Sequence, residues 1–237
     1  MLDSVLGGPV KSISILAAIL ATGALSAQGR TDELSARVVL FGENTQTSSV
    51  QMGPGASDQA NRQTGPGIRI MGQLGDESRW NWELGGRFSS SAHMVTNRDI
   101  ATPPATPNIL NATQVKINYS YWLLGAAYML PLGPAADLGL HLEGRGETIN
   151  PKGQYSTTNG GAGLIDAHSV YFRPWVRLSL EVKIPMGGTH FLMGADVAGS
   201  LIKTKQHAIV PMSQLDSNTL NAMAPTSSFS FFGGIQF

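Results

Sequence analysis

The 237-residue chain contains no cysteine. Disulfides, thiolate nucleophiles and every cysteine-ligated metal site are therefore excluded. Charge is scarce as well: Asp, Glu, Lys and Arg make up 14% of residues, against about 25% in an ordinary soluble domain. The 16 basic and 16 acidic residues cancel, so the basic surface of a nucleic-acid binder is missing. No repeat with a period of roughly 20 to 50 residues stands out. Beyond the N-terminal segment, no apolar run approaches the ~20 residues that a membrane-spanning helix requires.

What is present begins with an export-type segment. Lys11 precedes the apolar run 13–21, and Ala24, Ser26 and Ala27 supply a small-residue end. A basic residue, an apolar stretch and small residues together mark a secretory signal. The expectation is a signal over 1–27, cleaved after Ser26 or Ala27, ahead of one domain over 28–237.

That domain alternates apolar and polar residues with period two, the pattern of strands with two unlike faces. The clearest segment places Trp80, Trp82, Leu84, Gly86 and Phe88 opposite Arg79, Asn81, Glu83, Gly85 and Arg87. Seven others follow the rule. Their apolar faces are Leu34 to Gly42, Ile68 to Leu74, Val115 to Met129 at odd positions, Leu138 to Gly146, Val170 to Ile184, Phe191 to Leu201 and Phe229 to Phe237. In the 115–129 segment this reading puts Tyr119, Tyr121 and Leu123 on the apolar face, with Lys116, Asn118, Ser120 and Trp122 opposite. Short connections (75–78, 131–136, 185–189) alternate with long ones rich in Gly, Pro, Ser, Thr and Asn (44–65, 89–113, 148–168, 203–227). Four long loops are unusual in a compact soluble domain.

Which face lies outside decides the class of protein. In a soluble, lipocalin-like barrel the apolar face points inward and could enclose an apolar ligand. In a membrane barrel it meets lipid, and the lumen is polar. The uncharged apolar face favours the second arrangement, as do its aromatics near segment ends: Trp80, Trp82 and Phe191 by short turns, and Phe88, Phe172 and Phe229 by long loops. Two aromatic girdles are expected from this placement. The chain ends on Phe229, Phe231, Ile235 and Phe237, all on the apolar face.

An export signal, eight alternating segments, four long loops and a terminal aromatic strand resemble the Gram-negative outer-membrane β-barrels. The pattern is similar to the small OmpA, OmpX, OmpW and opacity-protein barrels. The resemblance implies an all-β, closed, antiparallel eight-stranded barrel, with short periplasmic turns and long extracellular loops. It also implies lipid and lipopolysaccharide as surroundings, and a last strand (Phe229, Phe231, Ile235, Phe237) read by the barrel-insertion machinery. Pro174 departs from an ideal strand because it removes a ladder donor; a bulge near the outer rim is expected there.

In this orientation the lumen holds Arg37, Arg69, Arg79, Arg87, Lys116, Arg145, Arg173, Arg177 and Lys183. Facing them are Glu43, Glu83, Glu143, Glu147, Glu181 and Asp196. Eight strands enclose just enough room for side chains, so a packed ion-pair network is the main expectation. The excess of positive charge leaves a narrow, mildly anion-preferring passage as the alternative. No cofactor, metal or reaction is implied. Asp166, His168 and Ser169 are adjacent in sequence, but successive strand residues point to opposite faces, which argues against a nucleophile and base. His93, His141, His168, His190 and His207 show no ligand spacing, and the Gly- and Pro-rich stretches 102–108 and 157–163 read as turns.

Overall fold

A computed structural model describes residues 35–47, 62–75, 78–94, 98–101, 109–157, 162–166, 168–202 and 224–237. The export segment expected at 1–27 lies outside the described residues, as do 48–61 and 203–223 of the expected loops. No helix occurs among the described residues. The described residues form ten strands in order: β1 (Ala36–Thr47), β2 (Arg62–Gln73), β3 (Trp80–Met94), β4 (Arg98–Ala101), β5 (Ile109–Gly133), β6 (Ala136–Thr157), β7 (Ala162–Asp166), β8 (Ser169–Met186), β9 (Thr189–Ser200) and β10 (Pro225–Gln236).

Eight of them close a ring in the order β5-β3-β2-β1-β10-β9-β8-β6, and β6 pairs back to β5. Every pairing is antiparallel. Closure leaves no unpaired edge, the condition for a sheet surrounded by hydrocarbon. The short turns are tight. Between β8 and β9 only Gly187 and Gly188 intervene, with φ of 53° and 96°, the left-handed pair that a two-residue hairpin demands.

The ring is uneven. β1, β2, β9 and β10 are neighbours of 12 residues each. The other arc holds β3, β5, β6 and β8, with 15, 25, 22 and 18 residues. A spanning strand needs only ~9–11, so β5 and β6 rise well past that length. Short β4 and β7 flank their upper ends. The expected loops 89–113 and 148–168 are therefore largely strand.

Apolar side chains point outward and charges inward. Leu40, Leu84, Leu140, Leu142, Phe172, Leu180, Val197 and Phe231 are exposed, whereas Arg37, Glu83, Glu143, Arg145 and Arg177 are buried. That distribution overturns the lipocalin-like alternative, which needs Trp82 and Leu140 inside. All six expected girdle residues, Trp80, Trp82, Phe88, Phe172, Phe191 and Phe229, are exposed, as are Phe231, Ile235 and Phe237 on and just beyond β10.

One segment has the opposite phase from its sequence reading. On β5, Ile117, Tyr119, Tyr121, Leu123, Ala127 and Met129 are buried, while Trp122 and Leu124 face out at 55% and 60% exposure. Both faces of β5 are apolar between 121 and 130, so alternation there carries no sign. Trp122 instead joins the outward-facing aromatics. Its ring lies 6.0 Å from that of Phe172, and both flank Gly146 in one cross-strand row. A Cβ at Gly146 would come within 2.1 Å of the indole; the missing side chain is the space that the ring fills.

Pro174 also departs from expectation, because the register of β8 is unbroken on both sides. In an antiparallel ladder the N–H and C=O of one residue point the same way. The Pro174 carbonyl accepts from the Leu201 N–H at 3.0 Å, just past the end of β9. The missing N–H thus faces a place where the ladder has already stopped, and no bulge is needed.

Candidate functional site

The lumen is a column of ion pairs. Near the short turns, Arg37 of β1 reaches Glu181 of β8 at 2.9 Å and Asp137 of β6 at 3.5 Å. Lys183 reaches Asp137 at 2.5 Å. Above them, Arg177 of β8 holds Glu83 and Glu143 and lies 3.5 Å from Asp196. Asp196 also takes Arg69 at 2.7 Å and the Ser230 hydroxyl. Next come Arg145 with Glu143 at 2.8 Å and Glu43 at 3.3 Å, and Arg87 with Glu43 at 3.4 Å. Uppermost, Glu147 binds Arg173 and accepts the Tyr119 hydroxyl at 2.5 Å.

Inverting β5 gives the arginines their apolar walls. Arg145 lies 4.3 Å from the centroid of Tyr121 and 4.2 Å from that of Trp175. Arg87 sits 5.0 Å over Tyr119. A guanidinium between a carboxylate and a ring face satisfies both its charge and its planar surface.

Of the eleven residues that the sequence assigned to this network, Arg69, Glu83, Arg87, Glu143, Arg145, Arg173, Arg177, Glu181 and Asp196 meet inside the barrel. Two do not. Lys116 is exposed because β5 has the other phase, and Arg79 is exposed at the short-turn rim, 3.5 Å from the Tyr128 hydroxyl. Asp137 was missed; it lies one period below Gly139 in phase with His141, but sits beside an expected turn. Removing Arg79 and Lys116 from nine cations leaves seven, and adding Asp137 to six anions makes seven. The described lumen is neutral, so the charge excess behind an anion-preferring passage is gone.

It is also full. The cavity between Val39, Arg69, Met71, Met129 and Arg177 has a volume of about 10 Å³, at the lower limit for one water.

His141 joins the middle layer. Its Nδ1 lies 3.0 Å from Glu83 and its Nε2 2.8 Å from the Ser179 hydroxyl. Glu83, His141 and Glu143 bring ligand-type atoms within 4.8 Å of one another, a grouping across β3 and β6 that sequence spacing cannot reveal. The Arg177 guanidinium already stands among them, with Nη2 2.8 Å from His141 Nδ1, and supplies the positive charge that a metal would. Asp166, His168 and Ser169 do not converge: Asp166 pairs with Lys152 outside, His168 contacts Asn150, and Ser169 is buried. His190 is exposed near a short turn. His207 and the side chain of His93 lie outside the described residues.

Closed ladder, apolar exterior and neutral ionic interior together define an inside-out β-barrel. No family model matches the chain, and neither does any curated protein. Among solved structures it is similar to Ail, the attachment invasion locus protein of Yersinia pestis, in complex with the heparin analogue sucrose octasulfate (9% identity, 86% of this chain and 98% of that one, TM-score 0.43). It is also similar to Neisserial surface protein A (8%, 86% and 98%, 0.40). A third is a major outer membrane protein from Thermus thermophilus (10%, 86% and 98%, 0.47). At such identities the likeness concerns fold alone.

Proposed function

We propose that this chain is an integral outer-membrane barrel with a side-chain-filled lumen, serving the cell envelope as a structural and surface-contact protein. The carrying observation is the inverted distribution of side chains among the described residues: seven cations against seven anions inside, and leucines, valines and aromatics outside. Water would oppose such an exterior, whereas lipid favours it. From Trp80 to Phe88 is eight residues, about 26 Å along the strand and ~20 Å along the normal at a tilt of about 40°. That is near the apolar band of about 25 Å of such barrels.

The long-loop end, on this reading, makes the contacts, since binding usually lives on loops held by a rigid scaffold. The outward aromatic face of β10 is the part offered to insertion machinery. Fractionation tests the assignment. The protein should stay with membranes through salt and carbonate washes, need detergent for extraction, and migrate differently on gels before and after boiling. Release by salt alone would refute it.

A further inference from the structure

We propose that Lys116 and Lys152 form an outward-facing cradle for a phosphate group on the saccharide of an outer-leaflet glycolipid; this rests on the membrane reading above. The outer wall of β5, β6 and β8 changes chemistry row by row as it rises from the upper girdle. Trp122, Gly146 and Phe172 form the first row, and Ser120, Thr148 and Val170 the second. Asn118 and Asn150 form the third, with His168 bonded to Asn150. In the fourth, Lys116 stands directly opposite Lys152, and Asp166 follows on β7. The wall thus passes from rings to hydroxyls, then amides, then charges.

Two lysines directly across a ladder repel each other. Asp166 approaches Lys152 at 3.4 Å, but the two side chains are 58% and 70% exposed, so this pair is worth little. His93 of β3 holds the next register position beside Lys116. The described row therefore carries two lysines and one carboxylate. A phosphate between Lys116 and Lys152 turns their repulsion into two charge-assisted contacts.

Height selects the source of that phosphate. Lys116 is six residues above Trp122, ~20 Å along the strand and about 15 Å along the normal at the usual tilt. A phospholipid headgroup zone extends only about 5–8 Å beyond the hydrocarbon. The row thus stands among sugars rather than phospholipid headgroups.

Purified protein in detergent is titrated with core-bearing lipopolysaccharide, and in parallel with the same glycolipid after dephosphorylation. Wild type should bind the phosphorylated form at least about tenfold more tightly. Lys116→Gln with Lys152→Gln should lose that preference, Asp166→Asn should strengthen it several-fold, and Arg79→Gln at the opposite rim should leave it unchanged. Excess inorganic phosphate should not displace the glycolipid. Equal binding of the two glycolipid forms, or a double variant that binds like wild type, overturns the proposal; so does full displacement by inorganic phosphate. If the lysine variant does not fold, an Asp166→Asn protein with unaltered binding overturns it. Failure of the membrane reading would show separately, as wild-type protein recovered without detergent.

Discussion

Arg145 and Glu43 stand on β6 and β1, four places apart whichever way one travels around the eight-strand ring, yet their charged groups meet at 3.3 Å. A contact across the full diameter leaves no clear bore. It also makes Glu43 a hub, since Arg87 shares it. Removing one member of a buried pair strands the rest, at about 3–5 kcal/mol. Glu43→Gln should therefore lower the urea midpoint of the boiling-sensitive gel form substantially. Lys152→Gln, at the exposed pair, should cost about 0–1 kcal/mol. Similar losses for both would contradict the packed column.

Planar bilayers containing the wild-type protein should stay electrically silent. The double variant Arg145→Gly with Glu43→Gly removes the diametric pair and should produce brief openings. Steady wild-type conductance would show that the column yields to solvent.

Tryptophan fluorescence reports which way β5 faces. The chain has four tryptophans, of which Trp80, Trp82 and Trp122 face outward and Trp175 is fully buried. In single-tryptophan variants, brominated acyl chains should quench Trp82 and Trp122 and spare Trp175. An unquenched Trp122 would restore the phase read from sequence.

Depth should grade the cost of charge on the outer wall. Leu142 stands mid-ladder opposite Ala126 and Val176, whereas Leu132 adjoins a short turn; both are exposed. Leu142→Arg is expected to cost about 2–4 kcal/mol and Leu132→Arg about 0–1, measured as refolding stability in bilayers. Equal costs would argue against lipid around this wall.

Seven of the eight barrel segments were legible: six carried charge on one side only, and the uncharged β10 set Phe229 and Phe231 against Ser228 and Ser230, so alternation had a direction. Arg173, Arg177 and Glu181 on β8 settle that strand without help from its neighbours. β5 offered no such marker: its one lysine lies six residues above Trp122, and Leu123-Leu124 and Ala126-Ala127 fill both faces alike. The reason for its true phase lies on other strands, since Arg87 and Arg145 need the Tyr119 and Tyr121 rings. Asp137 could have been found by extending the β6 phase downward past Gly139. The meeting of Glu83, His141 and Arg177 depends on closure of the ring, which strand patterns imply without fixing who faces whom.

The unequal arcs give the rim a profile. Among the described residues, half the circumference is built of 12-residue strands and the other half rises to 25, so the hydrogen-bonded wall is a parapet on one flank and a low sill on the other. A wall of that kind has a front and a back when viewed from above, which gives the hydrogen-bonded cylinder a preferred heading.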